Sequence, residues 1–219
     1  MITVLVADDH AMVRTGISRM LDDADDIQVV GEASSGEEAV LRCRELKPDI
    51  VLMDIRMPGM GGLEATRKLQ QVAPETKIIA VSACEQEPIP SRLMKAGASA
   101  FLSKGSGADA GDEIIKAVRQ VAKGKRYLSP AIAQALALKN YDDEVSSPFE
   151  SLSEREIQIS IMIGNGLRVQ DIADTLHIQT KTVNSYRYRI FEKLDVAGDV
   201  ALTLLAISHG LIEAPSPGQ

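Results

Sequence analysis

The sequence predicts an α/β domain followed by a smaller all-α domain. In the first part of the chain, short β-rich runs alternate with segments whose apolar residues have helical spacing, which is the pattern of βαβ units and a parallel sheet. These runs are mainly apolar and do not alternate with polar residues, as expected of strands that helices cover on both faces. Only helical spacing follows the Ser-Ser-Pro stretch that ends at Pro148. We therefore expect a five-stranded, doubly wound parallel sheet with strand order 2-1-3-4-5, and then a helical domain.

Five strands and their helices make up the predicted first domain, residues 1–124. The β-rich runs are Ile2–Ala7, Ile27–Ala33, Ile50–Asp54, Lys77–Ser82 and Ala100–Ser103. The segments between these runs have helical spacing and are predicted to be helices. The segment Asp112–Ala122, after the last run, is predicted to be a fifth helix. Pro88 and Pro90 delay the fourth helix, because proline fits only the first turn of a helix.

A linker is predicted at residues 125–150. Ser129 and Pro130 are the residue types of an N-cap and a first helical position, so we expect a helix near residues 130–138. The polar, acidic stretch YDDEVSSPFE completes the linker. The helical domain is then expected at residues 151–212, and residues 213–219 are expected to be a disordered tail.

Four helices are predicted in the second domain. Ser153 and Glu156 have the spacing of a capping box and begin the first helix, which runs to about Asn165. The other three are predicted at Arg168–His177, Thr180–Leu194 and Asp199–His209. A three-residue turn joins the second and third helices, which is the arrangement of a helix-turn-helix.

Composition indicates a cytoplasmic protein that makes no contact with a membrane. No stretch approaches the ~18 consecutive apolar residues of a membrane span, and the first residues, MITVLVADDH, lack the basic start of a secretory signal. Cys43 and Cys84 form no CxxC pair, and they fit buried thiols in a reducing compartment better than a redox pair.

Three carboxylates are predicted to meet at one edge of the sheet. Asp8 and Asp9 follow the first strand, and Asp54 ends the third. In this strand order those strands are neighbours, and ligands bind outside their carboxyl ends. Because clustered carboxylates repel one another unless a cation relieves them, and an oxygen-only site suits Mg²⁺ with retained waters, we expect a magnesium site. His10 is expected to be a surface histidine rather than a ligand.

The same edge carries further polar groups. Ser82 ends the fourth strand and Lys104 follows the fifth, so a hydroxyl and an ammonium can bind phosphoryl oxygens beside the carboxylates. Gly61 and Gly62 let the backbone after Asp54 approach closely. The backbone carbonyl of Arg56 can then face the ion.

The motifs LVADDH, VLMDIRMPGMGGLEATRKL, IIAVSA and AFLSKG resemble the receiver domain of bacterial two-component response regulators. The resemblance implies that Asp54 accepts a phosphoryl group from a sensor histidine kinase or a phosphotransfer protein. It also implies a Mg²⁺ ion held by Asp8, Asp9, Asp54 and the carbonyl of Arg56, a phosphoryl contact from Lys104, and switch roles for Ser82 and Phe101. A capping role for Ser82 and a plain core role for Phe101 are the alternatives. Gly105 stands where many receivers have proline.

The predicted third helix of the second domain has a small, polar, cationic face. Although the chain carries a net charge of −7, the segment around this helix has a local excess of basic residues. Lys181, Asn184, Ser185 and Tyr188 share one face, which fits a major groove where Asn can pair with adenine. Arg187, Arg189 and Lys193 are expected to reach flanking phosphates. A merely solvated charged face is the alternative.

The stretch LSEREIQI and the run VQDIADTLHIQTKTVNSYRYRIFEKL resemble the LuxR-type DNA-binding domain. With the receiver, they match NarL/FixJ-type response regulators over nearly the whole chain, and EIQISIMIGNG is similar to the GacA/UvrY group of global regulators. The resemblance implies a transcription factor that binds double-stranded promoter DNA, as a homodimer when phosphorylated or DNA-bound, and that is not an enzyme.

Two other functions remain open from the sequence. An Mg²⁺-dependent aspartyl-phosphate phosphohydrolase also uses a strand-end Asp nucleophile, but the Asp-x-Asp after its first strand is absent here, where Asp8-Asp9-His10 stands. A receiver that acts only through protein contacts is the second alternative. It is kept because the segment from Ser151 onward holds six Lys/Arg against eight Asp/Glu.

Overall fold

The computed structural model describes residues 1–57, 59–82, 89–104, 110–130, 132–134 and 147–212. The chain divides into two compact units, with residues 1–82 and 90–134 in the first and residues 147–212 in the second. Cys84, Gly105, half of the predicted linker and the predicted tail lie outside the described residues. No helix within the described ranges is long and apolar enough to cross a membrane.

The first unit is a parallel sheet with helices on both faces. Its strands are β1 (Ile2–Ala7), β2 (Ile27–Ala33), β3 (Ile50–Asp54), β4 (Lys77–Ser82), β5 (Ala100–Ser103) and β6 (Tyr127–Leu128), in the order β2-β1-β3-β4-β5-β6. Its helices are α1 (Ala11–Asp22), α2 (Gly36–Leu46), α3 (Gly61–Val72), α4 (Ile89–Ala96) and α5 (Ala110–Ala122). The predicted fold class and strand order are confirmed, but the expectation of five strands is wrong by one.

The additional strand, β6, lies within the predicted linker. It pairs in parallel with β5, with Tyr127 beside Ala100 and Leu128 beside Phe101. Two residues are too short to show any strand periodicity, so the pattern gave no signal for it. Of the helix expected after it, residues 130 and 132–134 are helical, and the rest lies outside the described residues.

Successive residues of the central strands pack on opposite faces of the sheet. On one face, Val4 and Val6 contact a buried cluster that includes Leu21 of α1 and Val118 of α5. On the other face, Leu5 belongs to a cluster with residues of α2 and α3. This two-sided cover explains why the central strands are mainly apolar instead of alternating between apolar and polar residues.

The strand register brings the polar strand ends to one edge. Ala7 of β1 lies beside Met53 of β3, so Asp8 and Asp54 follow as neighbours. Farther along the sheet the paired residues are Asp54 with Val81, and Ser82 with Ser103. Parallel strands all end on the same side, and these residues therefore line the carboxyl edge of the sheet.

The second unit is helical. After a 3₁₀ turn at Pro148–Ser151 come α6 (Glu154–Gly164), α7 (Val169–Thr175), α8 (Thr180–Leu194) and α9 (Asp199–Ser208). The capping box of Ser153 and Glu156 is present at the start of α6. Helix α7 is shorter than predicted, because His177 adopts a left-handed conformation with φ of 52°.

The 3₁₀ turn falls in the predicted linker but contributes to the core of the second unit. Phe149 is fully buried, and its ring meets that of His209 edge to face at 5.9 Å. A single aromatic residue in a polar stretch carries no periodicity, which is why the sequence pattern placed it outside the domain.

Candidate functional site

Three carboxylates converge at the carboxyl edge of the sheet, as predicted. Ligand atoms of Asp8, Asp9, His10 and Asp54 all lie within 4.8 Å of one another. Asp8 and Asp54 are almost fully buried, whereas the Asp9 side chain is partly exposed and His10 is a surface residue. The cluster could therefore hold a metal ion that is reached from solvent on the Asp9 side.

Lys104 joins the two buried carboxylates. Its Nζ donates to Oδ2 of Asp8 and to Oδ2 of Asp54, both at 2.7 Å. The backbone of Lys104 is held as well, because its N–H donates to the carbonyl of Ser82 at 2.8 Å. One cation thus balances two of the three acidic groups.

Burial and charge shift the ionisation of this pair. Burial raises the pKa of Asp54, because a charged carboxylate loses its hydration there; Lys104 opposes that rise and Asp8 adds to it. Burial alone would lower the pKa of Lys104, but the charges of Asp54 and Asp8 and the hydrogen bonds to them outweigh burial and raise it. Lys104 therefore stays protonated at neutral pH and can bind an anion.

The segment after Asp54 is held close to it. The N–H of Arg56 donates to Asp54 Oδ1 at 3.1 Å, and the N–H of Gly62 donates to the carbonyl of Ile55 at 3.0 Å. A Cβ on Gly62 would overlap the carbonyl oxygen of Asp54 and lie 2.7 Å from Cα of Ile55. Glycine is required here because α3 begins against the backbone of the acidic residue itself.

A second layer of contacts holds the loop that carries Asp8 and Asp9. Arg14 donates to the carbonyl of Asp8 at 2.7 Å and to Glu32 at 2.9 Å, and the Ser18 hydroxyl donates to the same carboxylate. Sequence reasoning missed this network. Arg14 and Ser18 are four residues apart on α1 and so share a face, but nothing in the pattern pointed to Glu32 as their partner.

The donor set fits a hard divalent cation. Three carboxylates face one ammonium, which leaves excess negative charge at a site whose ligand atoms are all oxygen apart from His10. Oδ1 of Asp9 is shielded from solvent and accepts no hydrogen bond within the described residues, although Nδ1 of His10 lies 2.8 Å away. A shielded carboxylate oxygen without a donor is the kind of atom that a cation would satisfy.

Ser82 and Phe101 occupy neighbouring strands. Ser82 is fully buried at the end of β4, one residue beyond the neighbour of Asp54. Phe101 is fully buried in β5, between Ala80 of β4 and Leu128 of β6. The fully buried position of Phe101 is compatible with both roles considered for it, a switch residue and a core aromatic.

Helix α8 presents most of its predicted DNA-contacting residues to solvent. Lys181, Ser185, Tyr188 and Arg189 are exposed, with 71% of Tyr188 accessible, and Asn184 is partly exposed. Val183, Ile190 and Leu194 are buried on the opposite side. The Arg189 guanidinium lies 4.6 Å above the ring of Tyr186. The amphipathic division predicted for this helix is therefore present.

Two cations expected to reach phosphates are engaged within the unit. Arg187 donates to both carboxylate oxygens of Asp199 and to Asn184 Oδ1, and it is largely covered. Lys193 Nζ lies 2.7 Å from a carboxylate oxygen of the buried Glu156. The helical spacing could not show these pairs, because Asp199 and Glu156 come from other helices.

Comparison with protein-family models decides the family. Residues 4–119 match the response regulator receiver domain, and residues 150–206 match the bacterial regulatory proteins of the luxR family. The chain belongs to the response regulators. Like others with this pair of domains, it is a DNA-binding transcriptional response regulator of a two-component system.

Full-length relatives agree with this assignment. The response regulator is 56% identical to the response regulator GacA of Pseudomonas aeruginosa, over 99% of this chain and 100% of the relative. It is 52% identical to the response regulator UvrY of Escherichia coli, over 98% of this chain and 97% of the relative. The predicted similarity to the GacA/UvrY group is confirmed.

A solved structure supports the fold. The response regulator RcsB of Salmonella typhimurium matches with a TM-score of 0.77 and 24% identity, covering 94% of this chain and 97% of that one.

The phosphohydrolase and the receiver without a DNA-binding role are not favoured, because both halves of this response regulator match domains of transcriptional regulators.

Proposed function

We propose that Asp54 is the residue that accepts the phosphoryl group, and that its modification controls DNA binding by the second domain. The observation that carries the proposal is the position of Lys104, whose Nζ bridges Asp54 and Asp8 at 2.7 Å from each. A protonated amine beside a strand-end carboxylate binds the oxygens of an incoming phosphoryl group. A sensor histidine kinase or a phosphotransfer protein is the donor.

Transfer exchanges one bond to phosphorus for another. The bond from phosphorus to the donor's imidazole nitrogen breaks, the nitrogen keeps the electron pair, and a carboxylate oxygen of Asp54 bonds to phosphorus. Lys104 exchanges part of its contact with the carboxylates for contact with the phosphoryl oxygens. The product is an acyl phosphate that carries more negative charge than the original carboxylate.

The metal ligands are Asp8, Asp9, Asp54 and the backbone carbonyl of Arg56. These four supply oxygen atoms only, which is the donor set that Mg²⁺ prefers. When bound, Mg²⁺ supplies positive charge that offsets the charge on the phosphoryl oxygens during transfer. Arg14 contributes by holding the carbonyl of Asp8, and so the loop on which Asp8 and Asp9 stand.

Ser82 and Phe101 form the switch. The Ser82 hydroxyl binds a phosphoryl oxygen of the modified Asp54. Phe101, three residues before Lys104, changes its rotamer in response, which biases the receiver between two conformations. The chain is thus a phosphoacceptor and not a turnover enzyme, apart from slow loss of its own phosphoryl group.

Helix α8 reads double-stranded promoter DNA in the major groove. The reading face of the helix, which faces the base edges, consists of Lys181, Asn184, Ser185 and Tyr188. Arg189 contacts phosphates, and Arg187 acts from behind the reading face. Two chains pair when phosphorylated or DNA-bound and cover a two-fold related site. The place of action is the cytoplasm, where bacterial promoters lie. The domains responsible are the receiver and the helix-turn-helix domain, which the sequence predicts at residues 1–124 and 151–212.

Gel-shift titration tests the proposal. The affinity of the full chain for promoter DNA should rise after treatment with a small phosphodonor and Mg²⁺, and Asp54→Asn should abolish the rise while leaving basal binding. Asp25→Asn removes an exposed carboxylate of the same unit and should respond like the native chain. An equal rise in affinity with Asp54→Asn would contradict the role of Asp54.

A further inference from the structure

Asn184, the central polar residue of the reading face, is hydrogen-bonded within its own unit. Nη1 of Arg187, one helical turn later, donates to Asn184 Oδ1 at 2.9 Å. Arg187 in turn donates through Nε to Oδ1 of Asp199 at 3.1 Å and through Nη2 to Oδ2 of the same carboxylate. One guanidinium therefore connects the reading face of α8 to the first residue of α9.

The chemistry of this contact fixes which end of the amide faces the guanidinium. A guanidinium has donors only, so it can bond the carbonyl oxygen of the Asn184 amide but not the NH₂ group. The oxygen of Asn184 is thereby directed along the helix toward Arg187. The NH₂ group, with two N–H donors, is left for the groove.

Arg187 is well placed to keep this arrangement when DNA approaches. Only 23% of its side chain is exposed, and its guanidinium lies 5.6 Å from the centre of the Phe191 ring. Three of its N–H groups already serve two partners, and the pairing with Asp199 is the bidentate, charge-assisted kind that holds a guanidinium in one orientation. Asp199 is the first residue of α9, so its backbone belongs to that helix.

We propose that Arg187 is a positioning residue that fixes the orientation of the Asn184 side-chain amide, so that Asn184 reads guanine in preference to adenine. The proposal rests on the proposed reading role of α8. Guanine offers two adjacent acceptors, O6 and N7, in the major groove. Adenine offers the acceptor N7 beside a donor, the N6 amino group, and therefore needs an oxygen and an NH₂ together. Asn184 supplies the NH₂ group to the base while its oxygen serves Arg187.

This assignment revises two expectations from the sequence. Arg187 was expected to contact a flanking phosphate, and Asn184 was expected to pair with adenine, as an unconstrained Asn on a reading face does. The contacts of Arg187 with Asp199 and Asn184 assign both residues differently. Arg189, whose side chain is exposed, keeps the expected phosphate role.

Selection of binding sites from a randomised duplex pool tests the proposal, with the full chain and each variant at the same salt concentration. Asn184→Ala identifies the base position that Asn184 reads, because preference there is lost. At that position the native chain should select guanine. Arg187→Met frees the amide oxygen and should shift the ratio of adenine to guanine by about tenfold toward adenine.

Two further variants separate positioning from general damage. Asn184→Asp keeps the acceptor for Arg187 and removes both donors, so guanine preference should disappear even though the fold is intact. Arg189→Met should weaken binding to all sequences alike and leave the preference at that position unchanged. Thermal unfolding of each variant shows whether it is folded. If Arg187→Met does not fold, Asn184→Asp provides the test.

The selection experiment distinguishes failure of the positioning role of Arg187 from failure of the proposed DNA-reading role of α8. If the native chain enriches no sequence, the reading role of α8 itself fails. If the native chain selects adenine at the Asn184 position, or if the preference survives in Asn184→Asp or is unchanged in a folded Arg187→Met, the positioning role of Arg187 is overturned while the reading role stands.

Discussion

Nζ of Lys104 lies 2.7 Å from Oδ2 of Asp54, and this bond links the end of β5 to the end of β3. The same ammonium lies 2.7 Å from Asp8 Oδ2. Both carboxylates are nearly fully buried, so the ammonium balances two charges that have lost most of their hydration. The stability of the receiver, and the phosphoryl contact that we propose, therefore depend on one side chain.

Lys104→Met should destabilise the receiver in the absence of divalent ions. Removing one partner of a buried ion pair leaves uncompensated charge, and we expect a loss of roughly 3 kcal/mol at neutral pH. Urea unfolding measures it. Lys68→Met, which removes an exposed lysine of α3, should change the free energy of unfolding by less than about 0.5 kcal/mol. Equal stability of the two variants would show that the Lys104 bonds are not structural.

Asp9→Asn should separate two effects of the Asp9 carboxylate: its repulsion of Asp8 and Asp54, and its binding of a metal ion. Without metal, it removes one of three clustered carboxylates, so the free energy of unfolding should rise slightly. With Mg²⁺ at about a hundred times its dissociation constant, the native chain should gain roughly 2.7 kcal/mol. Asp9→Asn should lose most of this gain, because Oδ1 of Asp9 is shielded and accepts no hydrogen bond within the described residues, and so is available to a cation.

Thermal unfolding with and without Mg²⁺ makes the comparison for Asp9→Asn. Asp25→Asn, another acidic residue of the same unit, is the matched control and should gain as much from Mg²⁺ as the native chain does. A full Mg²⁺ gain in Asp9→Asn would remove Asp9 from the ligand set.

Gly62→Ala should be harmful although alanine is the better helix former. Its Cβ would overlap the carbonyl oxygen of Asp54 and lie 2.7 Å from Cα of Ile55. Both of these are backbone atoms, which cannot move without shifting Asp54. We expect a loss of about 2 kcal/mol in the free energy of unfolding, together with slower uptake of the phosphoryl group.

Gly16→Ala is the matched control for Gly62→Ala, because it makes the same glycine-to-alanine change in another helix of the unit. Gly16 is exposed within α1 and nothing lies within 4 Å of its would-be Cβ, so alanine should stabilise that helix by up to about 1 kcal/mol. Similar effects of the two substitutions would mean that the close approach at Gly62 is not a constraint.

The fold could be predicted because its signals are periodic or local. Helix α8 begins and ends where its spacing and turn residues indicated, at Thr180 and Leu194, and the Ser153–Glu156 capping box lies within four residues of sequence. Strand β6 and the 3₁₀ turn around Phe149 were missed. They are too short for any periodicity to appear, and their partners are distant in sequence.

The site was predictable in part for the same reason. Strand ends can be located from apolar runs, and parallel strands must bring Asp8, Asp54 and Lys104 to one edge. The partners of individual side chains could not be predicted. Arg14 pairs with Glu32 and Arg187 with Asp199, and each pair requires the packing of two elements that the spacing within one helix does not report.

Arg189 and Lys193 should differ in their effect on DNA binding although they lie on the same helix. Arg189 is exposed and is proposed to contact phosphates, so Arg189→Ala should weaken binding and reduce the slope of log affinity against log salt by about one unit. Lys193 is paired with buried Glu156, so Lys193→Ala should lower the free energy of unfolding and leave the salt slope unchanged. Gel shifts over a range of salt concentrations measure both slopes.

The proposed attachment of the phosphoryl group to Asp54 can be tested by locating the group chemically. Acyl phosphates are reduced by borohydride, which converts a phosphorylated aspartate to homoserine. The full chain is treated with a small phosphodonor and Mg²⁺, reduced, digested and sequenced by mass spectrometry. We expect homoserine at position 54 only. Homoserine at position 8 or 9, or phosphorylation that leaves position 54 unmodified, would contradict the proposed attachment.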